Sequence, residues 1–246
     1  MNFCKIFCRF DRCTINSTLL IYIKGKEWYN FLSNMCEFKY IIIDGLVKSG
    51  KTRLAEILAK TFNSRLVVDN TENPFLNDYY SSLSGSGSVL ALKTQLIFLL
   101  NRYSQQIEIS QKGLFQKTTI SDYIFFRDGI YAHLMLNDEE LEIYKKIYNV
   151  FSQEVVTPDL VVYLQISFTE MIRRIQQKGT NMEKNVPTDY WREVFEAYNY
   201  YFFNYKTSPM LVVNIEKVDL DNPLDIRNLV KEIKNHKKGT RYYAPA

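Results

Sequence analysis

Apolar positions along the chain fall into short unbroken runs that alternate with stretches of helical spacing. Tyr40 to Ile43 is a β-rich run that stops at Asp44-Gly45, which reads as a buried strand followed by a turn. Leu54, Ile57, Leu58 and Phe62 then recur at helical spacing, so a helix begins near Lys51. Arg65 to Val68 is a second strand. Residues 81–88, all Ser and Gly apart from Leu83, read as a flexible insertion. From Val89 to about Ile109 the stripe Leu92, Leu96, Leu99 and Tyr103 predicts a long helix. Thr118 to Ser121 is a third strand, ending at Asp122.

Further on, Asn137 and Glu140 form a capping-box pattern for a helix through about Phe151. Leu160 to Leu164 is an almost uninterrupted apolar strand. Ser167 with Glu170 opens a helix that runs to Lys178, before Gly179. Pro187 precedes an aromatic-rich helix over about 189–205, and Met210 to Ile215 is a fifth strand. Strands that are apolar on both sides and separated by helices require a parallel sheet covered on both faces. The expected fold is α/β: a three-layer α/β/α domain with a five-stranded parallel sheet.

Composition changes this picture only at the N-terminal end. Apolar residues make up 46% and charged residues 24% of the 246, which is ordinary globular usage. No stretch approaches the ~18 apolar residues of a membrane span. The net charge of +4 is concentrated in residues 1–34, where Lys5, Arg9, Arg12, Lys24 and Lys26 face only Asp11 and Glu27. A basic face on the folded part, which a nucleic-acid partner would require, is therefore not expected. Cys4, Cys8, Cys13 and Cys36 lie at the same end, and the rest of the chain has none, as suits a reduced, cytoplasmic protein. Residues 1–34 read as a leader or an organellar presequence outside the fold, with the domain spanning 35–246.

The chemistry starts at Gly45-Leu46-Val47-Lys48-Ser49-Gly50-Lys51-Thr52, a G-x-x-x-x-G-K-[ST] loop between a strand and a helix. In such a loop the backbone N–H groups wrap a phosphate, with glycines allowing close approach. Lys51 reaches the β- and γ-phosphates, and the Thr52 hydroxyl serves Mg²⁺. Gly45, Lys48, Ser49, Gly50, Lys51 and Thr52 are thus the nucleotide-binding residues. A GTPase would read guanine with N-K-x-D, but the comparable Glu216-Lys217-Val218-Asp219 lacks the Asn. A small kinase with a basic lid fits better. Gln95 and Arg102 lie seven residues apart, which returns them to one helix face and points to an inward-facing ligand site.

Taken with Glu72-Asn73-Pro74-Phe75-Leu76, Ser121-Asp122-Tyr123, Pro158-Asp159-Leu160 and the segment after Arg174, these motifs over about residues 39–220 resemble the deoxynucleoside kinase family, especially its bacterial branch. The resemblance implies ATP-dependent phosphorylation of a deoxynucleoside 5′-hydroxyl, Mg²⁺, a homodimer and a leaning toward purines. It implies an acidic base just after the second strand, at Asp69, with Glu72 as the alternative. Gln95, Arg102 and Asp128 match base-binding positions, and Tyr80 and Glu183 match positions that hold the sugar 3′-hydroxyl. Asp122 is similar to the family's Mg²⁺ carboxylate, but the Arg that often follows it is Tyr123 here. In the lid, Arg174 and Lys178 keep a cationic pair, whereas Thr180 stands where relatives carry Arg. The rival readings are a nucleoside monophosphate kinase, which needs more acceptor-site Arg than Arg102, and a non-catalytic nucleotide-binding regulator.

Overall fold

A computed structural model describes residues 37–70, 72–82, 90–111 and 118–245. The expectations for residues 1–34, and for the Ser/Gly insertion from residue 83 onward, lie outside the described residues.

One parallel sheet carries β1 (Tyr40–Gly45), β2 (Arg65–Val67), β3 (Thr119–Ser121), β4 (Leu160–Gln165), β5 (Met210–Asn214) and β6 (Thr240–Tyr243), in the order β2-β3-β1-β4-β5-β6. Every residue of β1 is buried. Successive strand side chains point to opposite faces, so both faces of the sheet are covered there. This is why Ile41, Ile42 and Ile43 form an unbroken run rather than an alternation. Ile42 sits opposite Ser121 on one side and Val161 on the other.

The helices are α1 (Lys51–Thr61), α2 (Leu76–Ser82), α3 (Leu90–Ser110), α4 (Arg127–Met135), α5 (Asp138–Ser152), α6 (Phe168–Lys178), α7 (Asn181–Asn185), α8 (Thr188–Asn204) and α9 (Pro223–Asn235). Leu54, Ala55 and Leu58 of α1, Val194, Tyr198 and Phe202 of α8, and Leu229 and Ile233 of α9 join the strands in the main core. A second cluster, with Leu99, Phe125, Ala132 and Tyr144, binds α3, α4 and α5 together. The Asn137 capping box is formed, its side chain accepting from Glu140 N at 3.0 Å.

The sheet has six strands, not five. The sixth, Thr240–Tyr243, lies at an edge with three of its four residues exposed, so it has no apolar run to announce it. Helices α2, α4, α7 and α9 are further additions. For α9 the signal was local and legible, since Asn222 caps it and Pro223 starts it. Ser81 and Ser82 end helix α2 instead of opening a linker.

The strand order decides where chemistry can occur. From β1 the chain crosses to β2, returns through β3, and then passes to β4 on the opposite side of β1. At such a reversal the connections diverge and leave a crevice beyond the strands' C-terminal ends. The segments leaving β1, β2 and β3 bring Gly45–Thr52, Asp69 and Asp122 to that crevice.

Candidate active site

The turn after β1 has the backbone a phosphate loop needs. A Cβ on Gly45 would meet the Leu164 carbonyl oxygen and Ser49 Oγ, both at 2.8 Å, so a side chain there would displace the neighbouring strand. Lys48 and Gly50 adopt φ of 58° and 94°, the left-handed region that turns the loop back onto the start of α1. Gly50 caps α1 without a side-chain acceptor, and the first turn carries Lys51 and Thr52 but no acid. Cations at the positive end of a helix are unfavourable by themselves, so this terminus is built for an anion.

Below the loop lies a buried network of carboxylates and arginines. Thr52 Oγ1 donates to Asp122 Oδ2, and the other Asp122 oxygen accepts from Asp69 N at 2.6 Å. Asp69 is gripped by Arg102 through Nε at 2.8 Å and Nη2 at 2.9 Å. Arg102 Nη1 also bonds Asp128. Arg127 Nη2 reaches Asp69 Oδ2 at 3.1 Å, and its Nη1 lies 3.8 Å from Asp44 Oδ1. Asp44 accepts from Gly45 N at 2.6 Å and Ile124 N at 2.8 Å.

These surroundings push the carboxyl groups in opposite directions. For Asp69 burial raises the pKa, but Arg102 and Arg127 more than offset it and hold the group well below the usual carboxylate range. Asp128 is also buried, and there burial outweighs Arg102, pushing it up to about 6. Asp44 is raised by burial against the pull of Arg127 and Lys51. Lys51 is lowered, first by burial and then by the Arg127 charge, against Asp44, Asp122 and Asp69.

Gln95 and Arg102 both face inward from α3, as their spacing predicts, and both are buried. Gln95 Nε2 donates to Met135 Sδ at 2.7 Å, while its Oε1 has no partner among the described residues. Glu183 Oε2 accepts from Lys48 Nζ at 2.8 Å and from Thr180 N at 2.7 Å, so α7 touches the phosphate loop. Tyr80 packs near Trp191 with ring centroids 6.5 Å apart, and its pKa is raised by burial and then by the nearby Tyr131 and Glu183. Arg174 donates to Glu170 at 2.7 Å and to the Lys48 carbonyl at 3.3 Å. Two expected site residues stay outside this assembly. Lys178 is exposed at the end of α6, and Glu72 is exposed, with its N–H on Asn70 Oδ1 and its carbonyl on Asn101.

Sequence reasoning missed Asp44 and Arg127. Asp44 closes the first strand directly before Gly45, where a buried acid is a recognisable break in an apolar run. Nothing local marks Arg127, because its partners Asp69 and Asp44 come from other elements.

This chain resembles known deoxynucleoside kinases in sequence and fold. The family profile described as deoxynucleoside kinase matches residues 41–238. The deoxyguanosine kinase of Bacillus subtilis (strain 168) is 29% identical over 161 residues, covering 65% of this chain and 76% of the relative. The deoxyadenosine/deoxycytidine kinase of the same organism is 27% identical over 203 residues, covering 78% and 90%. Among solved structures, deoxyadenosine kinase from M. mycoides with bound dATP superposes with a TM-score of 0.66 at 24% identity, over 79% of this chain and 98% of that one. No helix among the described residues is long and apolar enough to cross a membrane. A profile match that runs from the first strand past the last long helix makes this chain a member of the deoxynucleoside kinase family, an enzyme that phosphorylates deoxynucleosides.

Proposed function

We propose that the enzyme transfers the γ-phosphoryl group of ATP to the 5′-hydroxyl of a purine deoxynucleoside, with Asp69 as the proton acceptor. The observation that carries this reading is the convergence of Asp69, Asp122 and the phosphate loop at the C-terminal ends of adjacent strands. The nucleoside oxygen attacks the γ-phosphorus, the bond to the β–γ bridging oxygen breaks, ADP leaves, and the hydroxyl proton passes to the Asp69 carboxylate. Two guanidiniums keep that carboxylate ionised, which makes it available but weakly basic. A weak base suffices when the transition state is loose, because the proton leaves late, as the new P–O bond forms.

Lys51 and the loop N–H groups would hold the transferring phosphates, and Arg174, bonded to the loop carbonyl of Lys48, would bring lid charge to them. Thr52 Oγ1 and Asp122 lie side by side, a hydroxyl and a carboxylate that suit Mg²⁺; the ion would neutralise phosphate charge there. Gln95, with one unpartnered carbonyl oxygen, and the Arg102–Asp128 pair offer the donors and acceptors that a base edge requires. The name of one bacterial relative, deoxyguanosine kinase, supports the purine preference, and that of the other, deoxyadenosine/deoxycytidine kinase, includes a purine beside a pyrimidine. Exposed apolar Leu100 on α3 with Ile143 and Val150 on α5 supports a homodimer through those neighbouring helices.

Labelled ATP offered with each of the four deoxynucleosides and their monophosphates tests the reading. Label should enter deoxyadenosine or deoxyguanosine and not the monophosphates, and Lys51→Ala should abolish it in a folded protein. Asp69→Asn should lower kcat by about 10²–10⁴-fold with ATP affinity little changed, whereas Glu72→Gln should cost far less. Transfer only to monophosphates would replace the acceptor, and a more damaging Glu72→Gln would exchange the bases.

A further inference from the structure

Arg127 is a buried cation beside Asp69, at the first residue of α4. Its side chain is 10% exposed, and among the described residues its Nε and Nη1 make no hydrogen bond. A buried guanidinium with two unpartnered N–H donors is costly, more so than a neutral group in the same state. Folding tolerates such donors where a ligand supplies the acceptors.

The position in the site says which ligand. Arg127 lies between Asp69, beside which the nucleoside hydroxyl must sit, and Asp44, at the root of the phosphate loop. It is also near enough to Lys51 to be the strongest charge lowering that ammonium. Before any phosphate arrives, the carboxylates Asp44, Asp69, Asp122 and Asp128 face Lys51, Arg102 and Arg127. Arg102 is committed to Asp69 and Asp128 through all three of its nitrogens. Among the described residues, Arg127 is the arginine of this cluster with guanidinium nitrogens, Nε and Nη1, that make no hydrogen bond.

The residue after Asp122 cannot perform this role. Tyr123 is fully buried, its hydroxyl accepting from Gln106 at 3.3 Å, and it turns into the core instead of the crevice. The cation comes from the first residue of the following helix.

We propose that Arg127 is a further functional residue of phosphoryl transfer: it orients the Asp69 carboxylate through Nη2 and presents Nε and Nη1 to the oxygens of the transferring phosphoryl group. This rests on the reading of Asp69 and the phosphate loop given above. Around Asp69 the charged groups are Arg102, Arg127, Lys51, Asp122 and Asp128, so removing Arg127 leaves the carboxylate one cation poorer.

The test is steady-state kinetics of wild type, Arg127→Gln and Arg127→Lys, with kcat and KM resolved for both substrates. Arg127→Gln should lower kcat by about 10²–10³-fold, the size expected for one preorganised donor to a developing oxyanion. Its KM for the deoxynucleoside should change far less. A purely structural Arg would reduce the yield of folded enzyme and leave the kcat of the folded fraction near that of wild type. Arg127→Lys keeps the charge but not the fork and should recover only part of the rate. If Arg127→Gln does not fold, Arg127→Lys decides alone: at least a tenfold loss supports the assignment, and wild-type kcat overturns it. Normal turnover of folded Arg127→Gln, or a loss confined to KM, also overturns it. Wild type that transfers to no deoxynucleoside would refute the underlying reading, whereas an active wild type with an undiminished Arg127→Gln would refute this assignment alone.

Discussion

The arginine–carboxylate pairs under the sheet edge and those along α6 and α7 differ little in length and greatly in surroundings. Arg102 meets Asp69 at 2.8 Å with both side chains 4% exposed, and Arg174 meets Glu170 at 2.7 Å with exposures of 21% and 17%. In the buried set each member leaves an uncompensated charge behind if its partner is lost, a cost of several kcal/mol. In the outer set water replaces the partner, and exposed pairs contribute about 0–1 kcal/mol. The enzyme thus holds Asp69, the proposed proton acceptor, in a network that is expensive to disturb. Helices α6 and α7 meet the loop after β1 through contacts, Lys48–Glu183 and Arg174–Lys48, that cost little to open. Contacts that are costly and contacts that are cheap to break come from one interaction type at two depths.

The contrast is broken most severely at Arg102. Arg102→Met removes the partner of two buried acids and should cost about 3–5 kcal/mol in urea unfolding at neutral pH. The double variant Arg102→Met/Asp128→Asn should regain part of that loss, since it also removes one stranded charge. A cost below about 1 kcal/mol would mean the network behaves like the surface pairs.

A smaller effect separates the two acids of the network by pH. The Asp69 pKa is depressed, so its contribution to stability is present above the unfolded value and is lost as pH falls through the folded one. Asp128 has the opposite sign: raised from 3.8 to about 6, it becomes a penalty that grows across that window and is complete above it. Asp128→Asn removes the penalty. Its stability relative to wild type should therefore improve by roughly 3 kcal/mol between about pH 4 and pH 7, at 1.36 kcal/mol per unit. Chemical denaturation at both pH values checks this, and a pH-independent difference would show that burial does not control Asp128.

The smallest change in stability belongs to the lid. Glu183→Gln, which removes the charge facing Lys48, should alter unfolding free energy by less than about 1 kcal/mol. The deoxynucleoside KM should nevertheless rise clearly, because Glu183 links α7 to the loop. A large loss of stability with unchanged KM would place Glu183 with the buried set.

Local rules were enough for a good part of this molecule. Strands β1, β4 and β5 were readable because strands covered on both faces must be apolar almost throughout, as Ile41, Ile42 and Ile43 are. The phosphate loop was readable because its glycines and Lys51 obey backbone constraints at fixed spacing. Gln95 and Arg102 could be assigned to the inner face of α3, since a helix repeats its face after seven residues. The edge strand Thr240–Tyr243 was not legible, because an exposed edge needs no apolar pattern. Nor was the pairing of Arg102 with two acids, the Lys48–Glu183 contact, or the approach of Arg127 to Asp69 and Asp44. By itself the sequence determined five of the strands, helices α1, α3, α5, α6 and α8, the turn after β1 and which face of α3 looks inward, since those depend on neighbours a few residues away. Which charge meets which in the crevice was decided only by the tertiary structure, because strand order and burial, not spacing along the chain, bring residues as far apart as Asp44 and Arg127 together and set the cost of leaving either one alone.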